Sequence, residues 1–212
     1  MIRPAKHSEH RILEAAATIA AAHGPSAATV TAIAKALKAP SGSIYHRFNS
    51  RDDLLGRLWL AKAAVFQDGW ADALRHPDPR QAGLDAALSI PRTVRDDFEG
   101  ARIMLLHRRE DFLSGPWPAS MKGEAERLAA QVTDGLADIT RRLFGANTKQ
   151  MREIATFSIL DVPVAAVRRF VEAGEPPPRS IDALIASAYA AVIDSHVGAA
   201  SRPASIHKAR DE

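Results

Sequence analysis

Apolar residues recur three and four positions apart through most of the chain, the spacing of one helix face, and nowhere alternate in strand fashion for more than a few residues. At the start, Ile12, Leu13, Ala16, Ile19 and Ala20 define one face of a helix from about Ser8 to His23. Ser8 is a suitable cap for it, and Gly24-Pro25 stops it. A second helix follows Thr29, another good cap, turns Val30, Ile33, Ala34 and Leu37 inward, and ends near Lys38. A third runs from Pro40 or Ser41 to about Phe48, with Ile44 and Phe48 pointing inward. Proline fits a first helical position because its missing N–H would have no partner there. Asn49-Ser50 breaks the chain, and Asp52 and Asp53 open a fourth helix with charge of the sign its N-terminus favours.

The same periodicity predicts helices over Leu54–Arg75, Arg80–Asp97 with a kink or break at Pro91, Gly100–Leu113, and Ala119–Phe144. Lys149–Ala173 follows, interrupted at Pro163, and Ile181–Val197 is the last. Pro163 deprives the Ile159 carbonyl of its helical donor, which either bends the helix or opens an acceptor toward a cavity. The last helix is apolar on nearly every side from Ile181 to Ile193. It needs cover on opposite faces, from a second copy of the chain or as the central helix of a monomeric bundle. The expected fold is all-α: an N-terminal three-helix helix-turn-helix domain over 1–51, a helical ligand-binding and dimerisation domain over 52–200, and a flexible tail over 201–212.

Composition narrows this picture. Abundant alanine favours helix. The absence of cysteine excludes disulfides and thiolate zinc sites, and fits a reducing cytoplasm. No stretch approaches the roughly 18 apolar residues of a membrane span, so no membrane partner is expected. No apolar signal core follows the charged N-terminus, so secretion is not expected. Charge is divided unevenly: residues 1–51 hold seven basic and two acidic residues, whereas the rest is mildly acidic. A basic head on such a body suits a polyanion, although a solvated basic surface would read the same way.

The third helix sharpens the choice. Duplex DNA is read at its base edges and held at its phosphates, so a reading helix needs polar side chains outward and apolar ones toward its own domain. Ser41, Ser43, Tyr45, His46 and Arg47 supply the first, and Ile44 and Phe48 the second. The pieces R-I-L-E-A-A at Arg11–Ala16, H-G at His23–Gly24, T-V-T-A-I-A at Thr29–Ala34, S-G-S-I-Y-H-R-F at Ser41–Phe48 and N-S-R-D-D-L-L at Asn49–Leu55 stand in register. Through them the first quarter of the chain closely resembles the TetR family of transcriptional regulators. The resemblance implies that Thr29 caps the second helix and touches a phosphate, and that Thr31 reaches toward a base. It gives Ser41 and Ser43 base or phosphate contacts, Tyr45 a phosphate through its hydroxyl, His46 a base or thymine methyl, and Arg47 a phosphate. Arg51 stands where the family usually has a phosphate-binding lysine. Two residues depart from the pattern. Lys38 replaces the usual glycine of a left-handed turn, at a cost of about 1 kcal/mol if that conformation is kept. Pro40 replaces the usual capping serine or threonine and biases Ala39 toward extended geometry.

The resemblance also implies a small-molecule effector pocket, a homodimer through the last two helices, and a double-stranded DNA operator. Large side chains are the natural pocket lining: Trp59, Phe66, Trp70, Met104, His107, Phe112 and Trp117. Phe66 and Trp70 are four apart and share a helix face. The run His107-Arg108-Arg109-Glu110-Asp111 has the spacing for a metal, but its two arginines oppose a cation, and no metal or cofactor is expected. A histidine serving a polar ligand, or a salt bridge from either arginine, uses the same residues. The rival functions are a helical enzyme working through His107, Glu110 and Asp111, for which no catalytic motif is present, and a dimeric scaffold with an idle head. The expected function is a ligand-responsive DNA-binding regulator, a cytoplasmic repressor without enzymatic activity.

Overall fold

The computed structural model describes residues 8–200, the last three by backbone alone. The tail expected over 201–212 lies outside the described residues. Eleven α-helices and no strand occur among the described residues. In the head, α1 (Glu9–His23), α2 (Val30–Leu37) and α3 (Gly42–Tyr45) close around Ile12, Ala16, Ala20, Val30, Ile33 and Ile44. Ser8 caps α1 by accepting the Arg11 N–H, and a 3-10 turn at Pro25–Ala27 leads to α2. The third helix is shorter than expected as regular helix, yet the Phe48 N–H still bonds the Ile44 carbonyl at 3.0 Å, so helical hydrogen bonding reaches Phe48.

From the head, α4 (Arg51–Ala73) runs into the body. Its 23 residues make a rod roughly 35 Å long. Ser50 caps it through the Asp53 N–H at 3.0 Å. Its first turns bury Leu54, Leu55 and Leu58 in the head's core, and its far end buries Trp70 and Leu74 in another cluster. The next helix, α5 (Pro79–Asp96), is the inner helix of the body and packs on α4. It buries mostly small side chains, among them Ala82, Gly83, Ala86 and Ala87, which lets neighbouring backbones approach closely. Asp78 caps it by accepting the Arg80 and Gln81 N–H groups. Those two bonds hold the Asp78 carboxyl below its ordinary range. Pro91 does not break the helix, which runs on to Asp96.

The single helix expected over Gly100–Leu113 is two: α6 (Phe98–Leu106) and α7 (Arg109–Phe112). Between them His107 and Arg108 are extended. The Asp111 carboxylate accepts the Arg108 N–H at 2.7 Å and starts a new helix there, which lets Phe112 enter the head's core. The body continues with α8 (Ala119–Phe144), α9 (Lys149–Thr156), a π-helical turn at Phe157–Asp161, α10 (Val162–Ala173) and α11 (Ser180–Ala200). Pro163 sits in the first turn of α10, where the wider π turn absorbs its missing N–H, so α9 to α10 is continuous helix of changed pitch rather than a broken one. Ile181, Ile185, Tyr189 and Ile193 of α11 face the body. No described helix is long and apolar enough to cross a membrane.

Candidate DNA interface and effector cavity

The turn between α2 and α3 sets the candidate DNA-facing surface. Thr29 caps α2, its hydroxyl accepting the Ala32 N–H at 3.1 Å. The helix ends in a left-handed residue, Lys38, with φ 51° and ψ 44°. There the Ala39 N–H closes on the Ala34 carbonyl at 2.9 Å and the Lys38 N–H on Lys35 at 3.1 Å, a Schellman pattern. The left-handed turn that the resemblance implies is therefore present, with Lys38 in place of the glycine it implies.

On α3, Ile44 and Phe48 are each 1% exposed, while Tyr45 is 58% exposed. Tyr45 is thus not a core aromatic. Ser41, His46 and Thr31 are also exposed. Ser43 and Arg47 are half-buried and partly engaged. The Ser43 hydroxyl donates to the Pro40 carbonyl at 2.7 Å, and Arg47 Nη1 donates to the Ser43 carbonyl at 3.1 Å. Arg51 is engaged as well, its Nη2 donating to the Pro25 carbonyl at 2.7 Å, which ties the start of α4 to the 3-10 turn. The exposed cations Lys35 and Lys38 flank the same turn. Neither is among the residues expected from the sequence to meet DNA, although their charge beside the turn is visible there.

Behind this surface, Arg57 fixes α3 and α4 to α1. Its Nε donates to Asp53 and its Nη1 to Glu9, each at 2.9 Å, and the guanidinium lies 5.4 Å from the Phe48 ring centre. The Asp53 hydrogen bond is the main cause raising the already high Arg57 pKa.

In the body, Phe66, Gln67 and Trp70 of α4 and Met104 and Leu105 of α6 line a cavity of about 190 Å³. Aliphatic side chains from α5, α8, the π turn and α10 close it. The structure thus brings three of the candidate lining residues together: Phe66, Trp70 and Met104. The other four gather at the junction of head and body. Trp59 packs on the fully buried Phe112 with ring centres 5.1 Å apart, His107 lies 6.2 Å from Phe112, and Arg109 lies over Trp117 at 5.8 Å. Gln67, absent from the candidates, is polar and carries no periodic signal. Its proximity to the cavity follows only from its place between Phe66 and Trp70.

The His107–Asp111 run is a set of local ties. His107 Nδ1 is 4.0 Å from Asp111, which is already occupied by the Arg108 N–H. Glu110 pairs with Arg109. Its own backbone N–H, and then Arg109, hold its carboxyl below the ordinary range. These carboxylates are each turned to a separate partner and do not converge on one atom. Among the described residues no group of three His, Asp or Glu side chains could hold a metal ion.

Comparison with known proteins agrees with this geometry. Residues 12–58 match the profile of "Bacterial regulatory proteins, tetR family". None of the curated proteins matches the chain in sequence. Solved structures match its shape. The TetR family transcriptional regulator PfmR of Thermus thermophilus superposes with a TM-score of 0.68 at 18% identity, over 88% of this chain and 96% of that one. The transcriptional regulator FadR of Bacillus subtilis, solved in complex with stearoyl-CoA, gives 0.65 at 17% identity over 88% of this chain and 98% of the other. The fatty acid degradation regulator FadR of Bacillus halodurans gives 0.63 at 18% identity, again over 88% and 98%. At such identities the likeness is one of fold, and it spans head and body alike. Residues 12–58 thus match the helix-turn-helix head of the tetR family of bacterial regulatory proteins, and head and body together share the fold of solved TetR family regulators.

Proposed function

We propose that the protein is a homodimeric repressor that grips a palindromic operator and is released from it by a small-molecule effector. The observation that carries this reading is the outward polar face of α3 around Tyr45, seated by the buried Ile44 and Phe48, in a chain that also holds an apolar cavity in its body. Function divides near residue 51. The head reads DNA in the cytoplasm, the body over 52–200 senses and pairs, and no step of this needs catalysis. Thr31, Ser41 and His46 face base edges; Thr29, Ser43, Tyr45, Arg47 and Arg51 position phosphates, with Lys35 and Lys38 beside them. Arg51 keeps N–H groups beyond the one engaged at Pro25. Pairing uses α10 and α11. On α11, Leu184 is 63% exposed among Ala183, Ser187 and Ala191, side chains small enough for close helix approach. Two heads then enter successive major grooves roughly 34–36 Å apart. Effector binding favours a dimer whose heads no longer match that spacing, by differential affinity for two states.

The test begins with an operator selected from random duplexes, followed by binding measured across a salt series. Arg47→Ala and Lys35→Ala should each lower the salt slope by about 0.9, the value for one lost phosphate contact. Tyr45→Phe, which removes only a hydroxyl, should weaken binding and leave the slope nearly unchanged. Selected sites without two-fold symmetry, or a protein that stays monomeric in sedimentation, would reject the dimeric reader.

A further inference from the structure

The helix α3 is four residues long, too short to hold its own direction. Its direction is set by what grips its two ends and by Ile44, which seats it in the head's core. The left-handed turn at Lys38 grips the start. Phe48 and Asn49 grip the end, and both lead to one side chain of α4, Arg57.

Asp53 is the first link. It is 4% exposed, and its two carboxylate oxygens are divided between two donors. Oδ2 accepts the Asn49 N–H at 2.8 Å, and Oδ1 accepts Arg57 Nε at 2.9 Å. A buried carboxylate stripped of its cation loses most of what offsets its lost water, so it would swing outward and release Asn49. Phe48 is the second link, a buried ring with the Arg57 guanidinium 5.4 Å from its centre. Glu9, in the first turn of α1, is the third, accepting from Arg57 Nη1 at 2.9 Å. The planar fork has one orientation that serves all three. It joins α1, α4 and the end of α3 at a single point. The Glu9 pair is half-exposed and adds little stability. What it adds is direction.

We propose that Arg57 is a positioning residue for DNA reading: it touches no base, and through Asp53, Phe48 and Glu9 it holds α3 at the angle at which Tyr45 and His46 meet the groove. The inference rests on the DNA-reader reading above and adds to it a residue behind the reading face. Contacts to base edges depend on direction, whereas contacts to phosphates carry no sequence information. A loosened α3 therefore loses discrimination first and non-specific grip last.

An operator selected with the parent protein and a scrambled duplex of equal length are titrated by fluorescence anisotropy across a salt series. Arg57→Met keeps a hydrocarbon stem over Phe48 and drops the fork. It should bind the operator roughly fivefold more weakly or worse, the worth of one lost base contact, and hold the scrambled duplex within about twofold. Its operator salt slope should match the parent's; a slope lower by about 0.9 would make Arg57 a phosphate ligand and overturn the role. Glu9→Ala, at the exposed end of the fork, should lose discrimination by a smaller factor, and adding it to Arg57→Met should cost nothing further. Arg57→Lys, which keeps the charge without the fork, should fall between the parent and Arg57→Met. Melting is followed for each protein, because a side chain that only stabilised the head would lower the melting temperature and leave the discrimination of the folded protein intact. That result overturns the role and leaves the DNA reader standing. If Arg57→Met fails to melt cooperatively, Glu9→Ala decides alone, and discrimination equal to the parent's overturns the role. A parent that selects no duplex at all removes the reader itself, and this role with it.

Discussion

Lys38 is the one non-glycine residue with positive φ among the described residues. A Cβ in that conformation costs roughly 1–2 kcal/mol. Lys38→Gly removes the strain and gives back part of the gain as extra freedom in the unfolded chain. The net should be about 0.5–1 kcal/mol of added stability, or roughly 2–3 °C in the melting temperature for a chain of this size. The same variant loses a cation beside the reading helix, so DNA binding should weaken and its salt slope should fall. A Lys38→Gly protein that melts lower, or binds DNA as before, would contradict one half of this account. The residue's double character was half legible in the sequence. The family pattern marked a glycine position, but whether lysine would adopt the left-handed turn or reshape it depends on the bonds from Ala39 to Ala34 and from Lys38 to Lys35. Arg51 shows the same limit, because its charge was visible and its engagement with Pro25, 26 positions away, was not.

At the scale of the element, most helices could be read from periodicity and caps, since both signals lie within the helix itself. Ser8, Thr29 and Ser50 cap helices as local side-chain bonds to the backbone. The break at His107-Arg108 was hidden because its causes are tertiary: Phe112 is drawn into a core made largely by residues before 60, and Asp111 turns back to the Arg108 N–H. The π turn was hidden for a similar reason, since Pro163 announces a lost hydrogen bond and not the pitch that absorbs it. The last helix shows how a buried polar group then controls stability. The Tyr189 hydroxyl donates to the Arg80 carbonyl at 2.9 Å, and burial pushes its pKa up to about 12. The raised value belongs to the folded state, so its contribution is complete below the unfolded value of about 10 and is lost as pH rises from there to about 12. Urea melts across that range should show the decline, and Tyr189→Phe should flatten it. At neutral pH the same variant should be less stable by about 1 kcal/mol, the net worth of one hydrogen bond. A decline as steep in the variant as in the parent would assign the alkaline loss to other groups.

Across the whole molecule, head and cavity share two helices. One is α4, whose length and start at Asp52–Asp53 were plain in the sequence. The other, α6, was disguised as part of a longer helix. Ile103 of α6 is fully buried in the head's core, and Met104 and Leu105 line the cavity. Arg102, on the same helix, donates from Nε to the Ala21 carbonyl at the end of α1 at 2.8 Å and reaches the Val171 carbonyl of α10 from Nη1 at 3.5 Å. One side chain thus ties the C-terminal turn of a head helix to a body helix beside the cavity. Under the proposed effector release, a ligand that displaced Met104 would shift α6, and the Arg102 bond to Ala21 would carry that shift to the head. Coupling between sites typically amounts to about 1–3 kcal/mol, or 5–150-fold in affinity. Arg102→Gln keeps a donor but loses the fork and the charge, and should reduce effector-induced loss of DNA affinity several-fold. Cavity binding itself should change little, because Arg102 does not line it. Operator binding measured with and without a cavity ligand, in parent and variant, gives the coupling factor directly. An Arg102→Gln protein that melts cooperatively and still shows the parent's full factor would place the connection in α4 alone.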